Sequence, residues 1–189
     1  PVAYVSVELP AREMAASNLA NSVLITDMTY ETIQDNVMFS PLSLNFALGM
    51  VLEGTDGDSP SRAALEQYLN QENYSAFVKS YMEYAKTIES MPVPEGSTMQ
   101  NHYDIANAVW VNQEYLLKEK YKTSVSANYG AEVQNLDFSK PGDVADTVNA
   151  WAAKQTRNMI PSILNPAMIT KDSRAVLTNA IYFESPWQK

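Results

Sequence analysis

The stretch that most constrains this chain is residues 36–54, NVMFSPLSLNFALGMVLEG. Phe39-Ser40-Pro41 reads as a helix start. Ser40 can accept hydrogen bonds from free backbone N–H groups, and Pro41 suits the first helical position because its missing N–H would be unpaired there anyway. Phe39 and Leu44 are spaced to form a hydrophobic staple across that start. Gly54 offers a stop, since glycine takes positive φ without strain. Between these signals Leu42, Leu44, Phe46, Ala47, Leu48, Met50, Val51 and Leu52 leave no wide polar face. A helix that is apolar nearly all round is a central helix, buried on most sides. Its polar groups, Ser40, Ser43 and Asn45, then need partners.

A helix of that kind needs a sizeable core around it. The 189 residues suit one domain, or a large part of one, and such a chain buries roughly 70% of its unfolded surface. Apolar content of 46% and charged content of 19% describe a globular protein. Thirteen basic against 22 acidic residues give a net charge of −9. With no basic cluster, that balance argues against nucleic acid and anionic membrane as partners. The absence of cysteine removes disulfides, thiol catalysis and zinc–thiolate sites together. No apolar run is long enough to form a transmembrane helix. The chain begins at Pro1, which reads as a leader or tag already removed. It stops at Lys189, directly after a strongly apolar run and Trp187. A core strand usually has a closing element after it, so truncation or cleavage is expected there.

Along the chain, residues 2–9 read as a strand or extended arm. Residues 11–30 read as a helix with Met14, Leu19, Val23 and Met28 near one face. Residues 37–39 form a very short strand before the central helix. A turn over 53–59 leads into Ser59-Pro60, a second cap-plus-proline start, with Ala64, Leu65, Tyr68 and Leu69 facing inward. A helix is expected over 74–90, with Phe77, Tyr81, Ala85 and Ile88 inward, broken by the prolines of 91–98. Residues 103–111 alternate as a strand, with Ile105, Asn107, Val109 and Val111 on one face and Ala106, Ala108 and Trp110 on the other. A helix over 115–129 closes at Gly130, and a strand follows over 131–138. Asp143 is read as the cap of a helix running to about Asn158, with Val144, Val148, Trp151 and Ala152 inward. A loop over 161–173 leads to the strongest strand, 174–183. Apolar groups on both its faces predict a central strand covered on both sides.

Little in the sequence points to catalysis. The one histidine, His102, opens a strand and reads as an exposed or hydrogen-bonded side chain. No G-x-S-x-G, P-loop or G-x-G-x-x-G motif occurs. Glu132 and Asp137 read as solvated charges. No cofactor is called for, although carboxylates alone could hold calcium. Trp110, Trp151 and Tyr182 stand at core spacing, whereas the Trp187 indole could cap the end of a sheet, its N–H seeking a partner. Asn179 shares a strand face with Leu177, Ile181 and Phe183, where an unpaired amide costs about 1–3 kcal/mol. Ser40 and Ser43 are its candidate partners if the central helix lies beneath the sheet. This polar group reads either as a hydrogen-bonded core cluster or as a patch that lets neighbouring strands part.

Five motifs, in order, carry a resemblance. They are Asn36-Val37-Met38-Phe39-Ser40-Pro41-Leu42-Ser43 with Ala47-Leu48; Ala106-Asn107-Ala108 with Val111; and Tyr129-Gly130-Ala131-Glu132-Val133 with Asp137-Phe138. Val148-Asn149-Ala150-Trp151 with Thr156 follows, and then Leu177-Thr178-Asn179-Ala180-Ile181-Tyr182-Phe183 with Trp187. Together they make residues 11–189 resemble the N-terminal half of a serpin, a member of the serine protease inhibitor superfamily. The resemblance implies a mixed α/β fold with a large central, mostly antiparallel sheet, incomplete in this chain, and helices behind and across it. Residues 1–189 would be the N-terminal part of a single serpin domain. Ser40, Pro41, Ser43 and Asn179 match the family's shutter, beneath the sheet centre where strands part. Trp187 matches the breach, where loop insertion begins. The family's usual Gly-Lys-Ile after the helix threonine is replaced by Arg157-Asn158-Met159-Ile160.

The resemblance implies suicide inhibition of serine or cysteine endopeptidases, not an enzyme. A reactive loop is cut and inserts into the central sheet as an extra strand. That loop lies near the C-terminus in serpins, beyond this chain, which supplies scaffold only. The implied partners are a target protease and the C-terminal remainder of the same protein, with an extracellular or periplasmic location. The alternative is a non-inhibitory serpin-fold binding, carrier or chaperone protein. Small residues in the loop's hinge would mark the first; proline or bulky charge there would mark the second.

Overall fold

The computed structural model describes residues 40–69, 74–170 and 172–187, with Pro41 described through its backbone alone. The strands and helix expected over 2–9, 11–30 and 37–39, and the Phe39–Leu44 staple, lie outside the described residues. The chain divides into two compact units, Pro1–Glu72 and Asn73–Lys189.

In the first unit, α1 spans Pro41–Glu53 with Ser40 as its cap. Phe46 and Met50 are fully buried, and Asn45 and Leu52 nearly so. The expected stop is corrected in detail: Gly54 has φ −87°, so no left-handed residue ends this helix. Instead the Thr55 N–H and hydroxyl both donate to the Leu52 carbonyl, at 3.1 and 2.7 Å, and satisfy the exposed end. α2 spans Pro60–Leu69 and starts as expected, with the Arg62 N–H donating to Ser59 Oγ at 3.1 Å. Its inner face is narrower than expected: Leu65 and Leu69 face inward, while Ala64 and Tyr68 are exposed. An Arg62–Glu66 ion pair at 2.8 Å runs along the helix.

The second unit begins with α3, Tyr74–Glu89. Tyr74, Val78 and Ala85 are its buried stripe, with Phe77, Tyr81 and Ile88 half-buried beside it. Then come β1, His102–Asn112; α4, Glu119–Tyr129; β2, Glu132–Leu136; α5, Pro141–Gln155; a 3-10 turn, Pro166–Met168; and β3, Ala175–Glu184. The sheet order is β2-β1-β3, with β1 parallel to β2 and antiparallel to β3. Among the described residues the middle strand is therefore β1, not the strongly apolar β3. One face of β3, Thr178 and Ala180, is buried, whereas Phe183 on the other is exposed. On that other face Leu177, Asn179 and Ile181 are half-buried.

Three helix ends differ from the sequence reading, each for a local reason. α4 begins at Glu119 because the Asn112 side chain accepts from the Glu114 N–H at 3.2 Å, and the Asn112 carbonyl from the Tyr115 N–H at 2.9 Å. That turn uses the residues expected to start the helix. Its end is as expected, with Gly130 left-handed at φ 59°. At α5, Pro141 takes the first helical position and Lys140 the cap, so Asp143 sits in the first turn. Asp143 still opposes the positive end of the helix dipole there. α5 stops at Gln155, short of Asn158, because Arg157 and Asn158 have φ of 50° and 64°.

The core lies between α5 and the sheet. Trp110 meets Trp151 edge-on at 5.9 Å, among Ala108, Phe138, Val144, Val148, Ala152 and Ala180. Asn149 ties the following loop to α5: its Oδ1 accepts from the Ile163 and Leu164 N–H groups at 2.8 and 2.9 Å. Its amide donates to the Leu164 carbonyl at 2.9 Å.

Candidate functional site

The β1–β3 register sets Asn107 directly opposite Asn179. Both residues follow the strand alternation onto the same face. The Asn179 amide donates to Asn107 Oδ1 at 2.9 Å and to the Ala106 carbonyl at 3.3 Å. The Asn107 amide donates in turn to the Tyr129 carbonyl at 2.8 Å, at the C-terminus of α4. Asn107 is 1% exposed. A short polar seam thus crosses two strands and reaches a helix end inside an apolar sheet. Asn179 Oδ1 is buried and has no partner among the described residues. On the opposite face, one register step away, the Trp110 indole N–H donates to Thr178 Oγ1 at 3.0 Å.

Ser40 and Ser43 satisfy each other in the first unit. The Ser43 N–H donates to Ser40 Oγ at 3.3 Å, and the Ser43 hydroxyl donates to it at 2.9 Å. Pro41 stands at the start of α1. The partner expected for Asn179 was Ser40 or Ser43; its amide is instead held by Asn107 and Ala106. Asn107 is the seam residue that sequence reasoning missed. The signal was available, since Asn107 and Asn179 each precede an alanine in an apolar strand, but only the register pairs them.

Trp187 does not cap the sheet: it is 94% exposed. Strand pairing ends at His102 opposite Glu184. Beyond it Ser185 donates to Asn101 Oδ1 at 2.8 Å, and the Asn101 amide donates to the Met91 carbonyl at 2.8 Å. His102 is half-buried in this register position. Tyr182 donates to Glu184 Oε2 at 2.9 Å. Among the described residues, no three His, Asp or Glu side chains gather as a cation site. No described helix is long and apolar enough to cross a membrane. Glu132 is exposed, and Asp137 is bound into a turn: its Oδ1 accepts from the Ser139 hydroxyl and N–H at 2.6 and 3.1 Å. Those bonds hold its carboxyl below the usual range, the hydroxyl contributing most.

The fold is matched by solved structures of one known family. The family model for serpins (serine protease inhibitors) matches residues 15–189. This chain belongs to the serpin family. A serpin-like protein of Methanosarcina acetivorans is 34% identical over 176 residues, 89% of this serpin chain and 40% of the relative. Neuroserpin of Gallus gallus is 31% identical over 160 residues, 82% of this chain and 35% of its own length. The solved ovalbumin of emu, Dromaius novaehollandiae, matches with a TM-score of 0.79. That match covers 94% of this chain and 48% of the ovalbumin chain at 17% identity, a likeness of fold alone. The helices and mixed three-stranded sheet are those of the α/β serpin fold. The chain spans about two fifths of the length of the curated relatives it matches.

Proposed function

We propose that residues 1–189 are the N-terminal part of a single serpin domain whose full form is a suicide inhibitor of serine or cysteine endopeptidases. The observation that carries this reading is the polar seam at Asn107 and Asn179. A sheet held only by apolar packing and ladder bonds has no reason to bury two amides in register. A seam of neutral hydrogen-bonding groups lets strands separate and re-pair without leaving charges buried. In this reading Ser40, Pro41, Ser43 and Asn179 form the shutter that accommodates a new strand. The exposed Trp187 marks the breach where insertion starts. The reactive loop comes from the C-terminal remainder. It is cut by the target protease and adds to the sheet while the acyl-enzyme is intact, and serpin loop insertion is a known instance of strand addition. On the order of ten new ladder bonds, at about 1 kcal/mol net each, drive the change. The native state is then a kinetically trapped one. The domain itself performs no catalysis, and it works outside the cytoplasm, secreted or periplasmic, without nucleic-acid partners.

The test is incubation of the full-length protein with a panel of serine and cysteine proteases, followed by denaturing electrophoresis. A detergent-stable adduct one protease mass above the inhibitor supports the reading. Cleavage of the loop without any adduct across the panel overturns it in favour of a non-inhibitory serpin. Residues 1–189 alone should form no adduct with any protease.

A further inference from the structure

α5 ends in a Schellman arrangement. The Asn158 N–H donates to the Ala153 carbonyl at 2.7 Å and the Arg157 N–H to the Lys154 carbonyl at 3.4 Å. This places Arg157 in the left-handed position, φ 50°, which favours glycine. A side chain with a Cβ has no conformational reason to stand there. Its contacts supply one. The guanidinium reaches Asp104 Oδ2 at 3.3 Å on β1 and Glu184 Oε2 at 3.4 Å on β3. It also lies over the Tyr182 ring, 4.6 Å from the centroid. Asp104 pairs with Tyr182 in the register, and Glu184 lies two residues further along. By strand alternation all three share the face that carries Ala108, Trp110 and Ala180, the face packed on α5. Tyr182 completes the cluster by donating to Glu184, which raises the phenol above its ordinary range.

We propose that Arg157 is a latch: one exposed guanidinium closes the β1–β3 strand end and pins the α5 turn onto it, so that this end of the sheet opens only when the guanidinium lets go. The three groups it grips come from two strands, and the side chain that grips them comes from a helix end. Release therefore frees the strand ends and the turn together. The contacts are solvent-exposed, so each is individually modest and weakened by salt. Together with the ring contact they amount to about a tenfold bias toward the closed end. The latch needs only the fold and stands whether or not the full protein inhibits a protease.

The test is residue-resolved hydrogen exchange on the full-length protein, at low and high sodium chloride. Arg157→Gly removes the guanidinium and suits the left-handed backbone; Arg157→Ala removes it and keeps the strain. Both should speed exchange at residues 102–106 and 180–184 by about tenfold at low salt. Val109 and Leu177 should hold their protection. The wild-type advantage should shrink as salt rises, since salt screens both the attraction to the guanidinium and, in the variants, the repulsion left between Asp104 and Glu184. Asp104→Asn with Glu184→Gln should reproduce most of the Arg157→Gly effect, and combining all three should add only the loss of the Tyr182 ring contact. Unchanged exchange in Arg157→Gly overturns the latch, as does faster exchange confined to Arg157→Ala, which would be strain alone. Uniform acceleration along both strands also overturns it, since that would be general destabilisation.

Discussion

The β1–β3 pair carries two polar clusters on opposite faces, a few residues apart, and they are built from different chemistry. At its middle, Asn107 and Asn179 are neutral amides joined at 2.9 Å in the apolar interior. Toward its end, Arg157, Asp104 and Glu184 are full charges at 3.3–3.4 Å with a third or more of each side chain in water. The difference follows from desolvation. A buried ion costs several kcal/mol even when paired, whereas a buried amide needs only its hydrogen bonds. The buried cluster therefore does more for stability per contact, and damage to it is costlier. The exposed cluster is weak, reversible and salt-sensitive. One strand pair has a seam that must be satisfied and an end that is free to open.

The largest effect should come from emptying the seam. Asn107→Ala removes the 2.9 Å acceptor of the Asn179 amide, which keeps only the longer bond to the Ala106 carbonyl, and the amide that donates to the Tyr129 carbonyl. A loss of about 2–4 kcal/mol is expected, read as a lower urea midpoint for the first unfolding transition of the full-length protein. Asn179→Ala should cost less, about 1–2 kcal/mol, because Asn179 Oδ1 already lacks a partner among the described residues. The double variant should fall short of the sum by about 1 kcal/mol or more, as for residues in one network. Additive losses would show that the two amides do not act as a seam.

Next comes the residue that positions the seam's acceptor. Gly130 at φ 59° turns the chain directly after Tyr129, and a Cβ there would meet the Met82 methyl at 3.5 Å. The space is adequate but the backbone is not, so Gly130→Ala should cost about 1–2 kcal/mol. Combined with Asn107→Ala it should be less than additive if its cost includes displacing the Tyr129 carbonyl.

Tyr74 tests the buried half of the comparison with a single group. Its hydroxyl is buried and has no partner among the described residues. Burial pushes its pKa well above the ordinary tyrosine value. A raised folded pKa contributes stability in full below the unfolded value, about 10, and loses it as pH rises beyond that. The wild type should therefore lose stability above about pH 10 more steeply than Tyr74→Phe. At neutral pH that variant should be as stable or gain up to about 1 kcal/mol, since no hydrogen bond is lost. Parallel alkaline limbs would show that the Tyr74 hydroxyl finds water.

The strands and helices of the second unit were legible because alternation and caps are local. Ala106-Asn107-Ala108 showed its faces, and Gly130 its left-handed turn. Ser40 and Ser59 showed their caps for the same reason. What escaped the sequence was pairing. Asn179 needed a partner, but Asn107 becomes that partner only through a register 72 residues apart in sequence. Arg157 was visible only as a departure from a glycine-containing motif. Its role depends on two strand ends that only the sheet brings together. Trp187 read as a sheet cap from its place after a strand, yet the strand pairing ends at Glu184 and leaves its ring in solvent.

The smallest effect probes the exposed half. Asp137 is a surface carboxylate whose low pKa comes first from the Ser139 hydroxyl, which outweighs the desolvation that acts against it, and then from the Ser139 N–H and Lys140. A depressed folded pKa gives stability that is present above the ordinary carboxylate range and lost as pH falls through the folded value. Asp137→Asn keeps an acceptor for Ser139 but removes the charge, so the variant should lack that part of the acid limb and lie slightly below the wild type near neutrality. Added salt should weaken the Lys140 contribution, at 3.8 Å, and leave the Ser139 bonds nearly untouched. A wild-type acid limb that collapses onto the variant's in high salt would mean that charge, not hydrogen bonding, sets this carboxylate. The contrast between a hydrogen-bonded seam and a screened surface would then be one of degree.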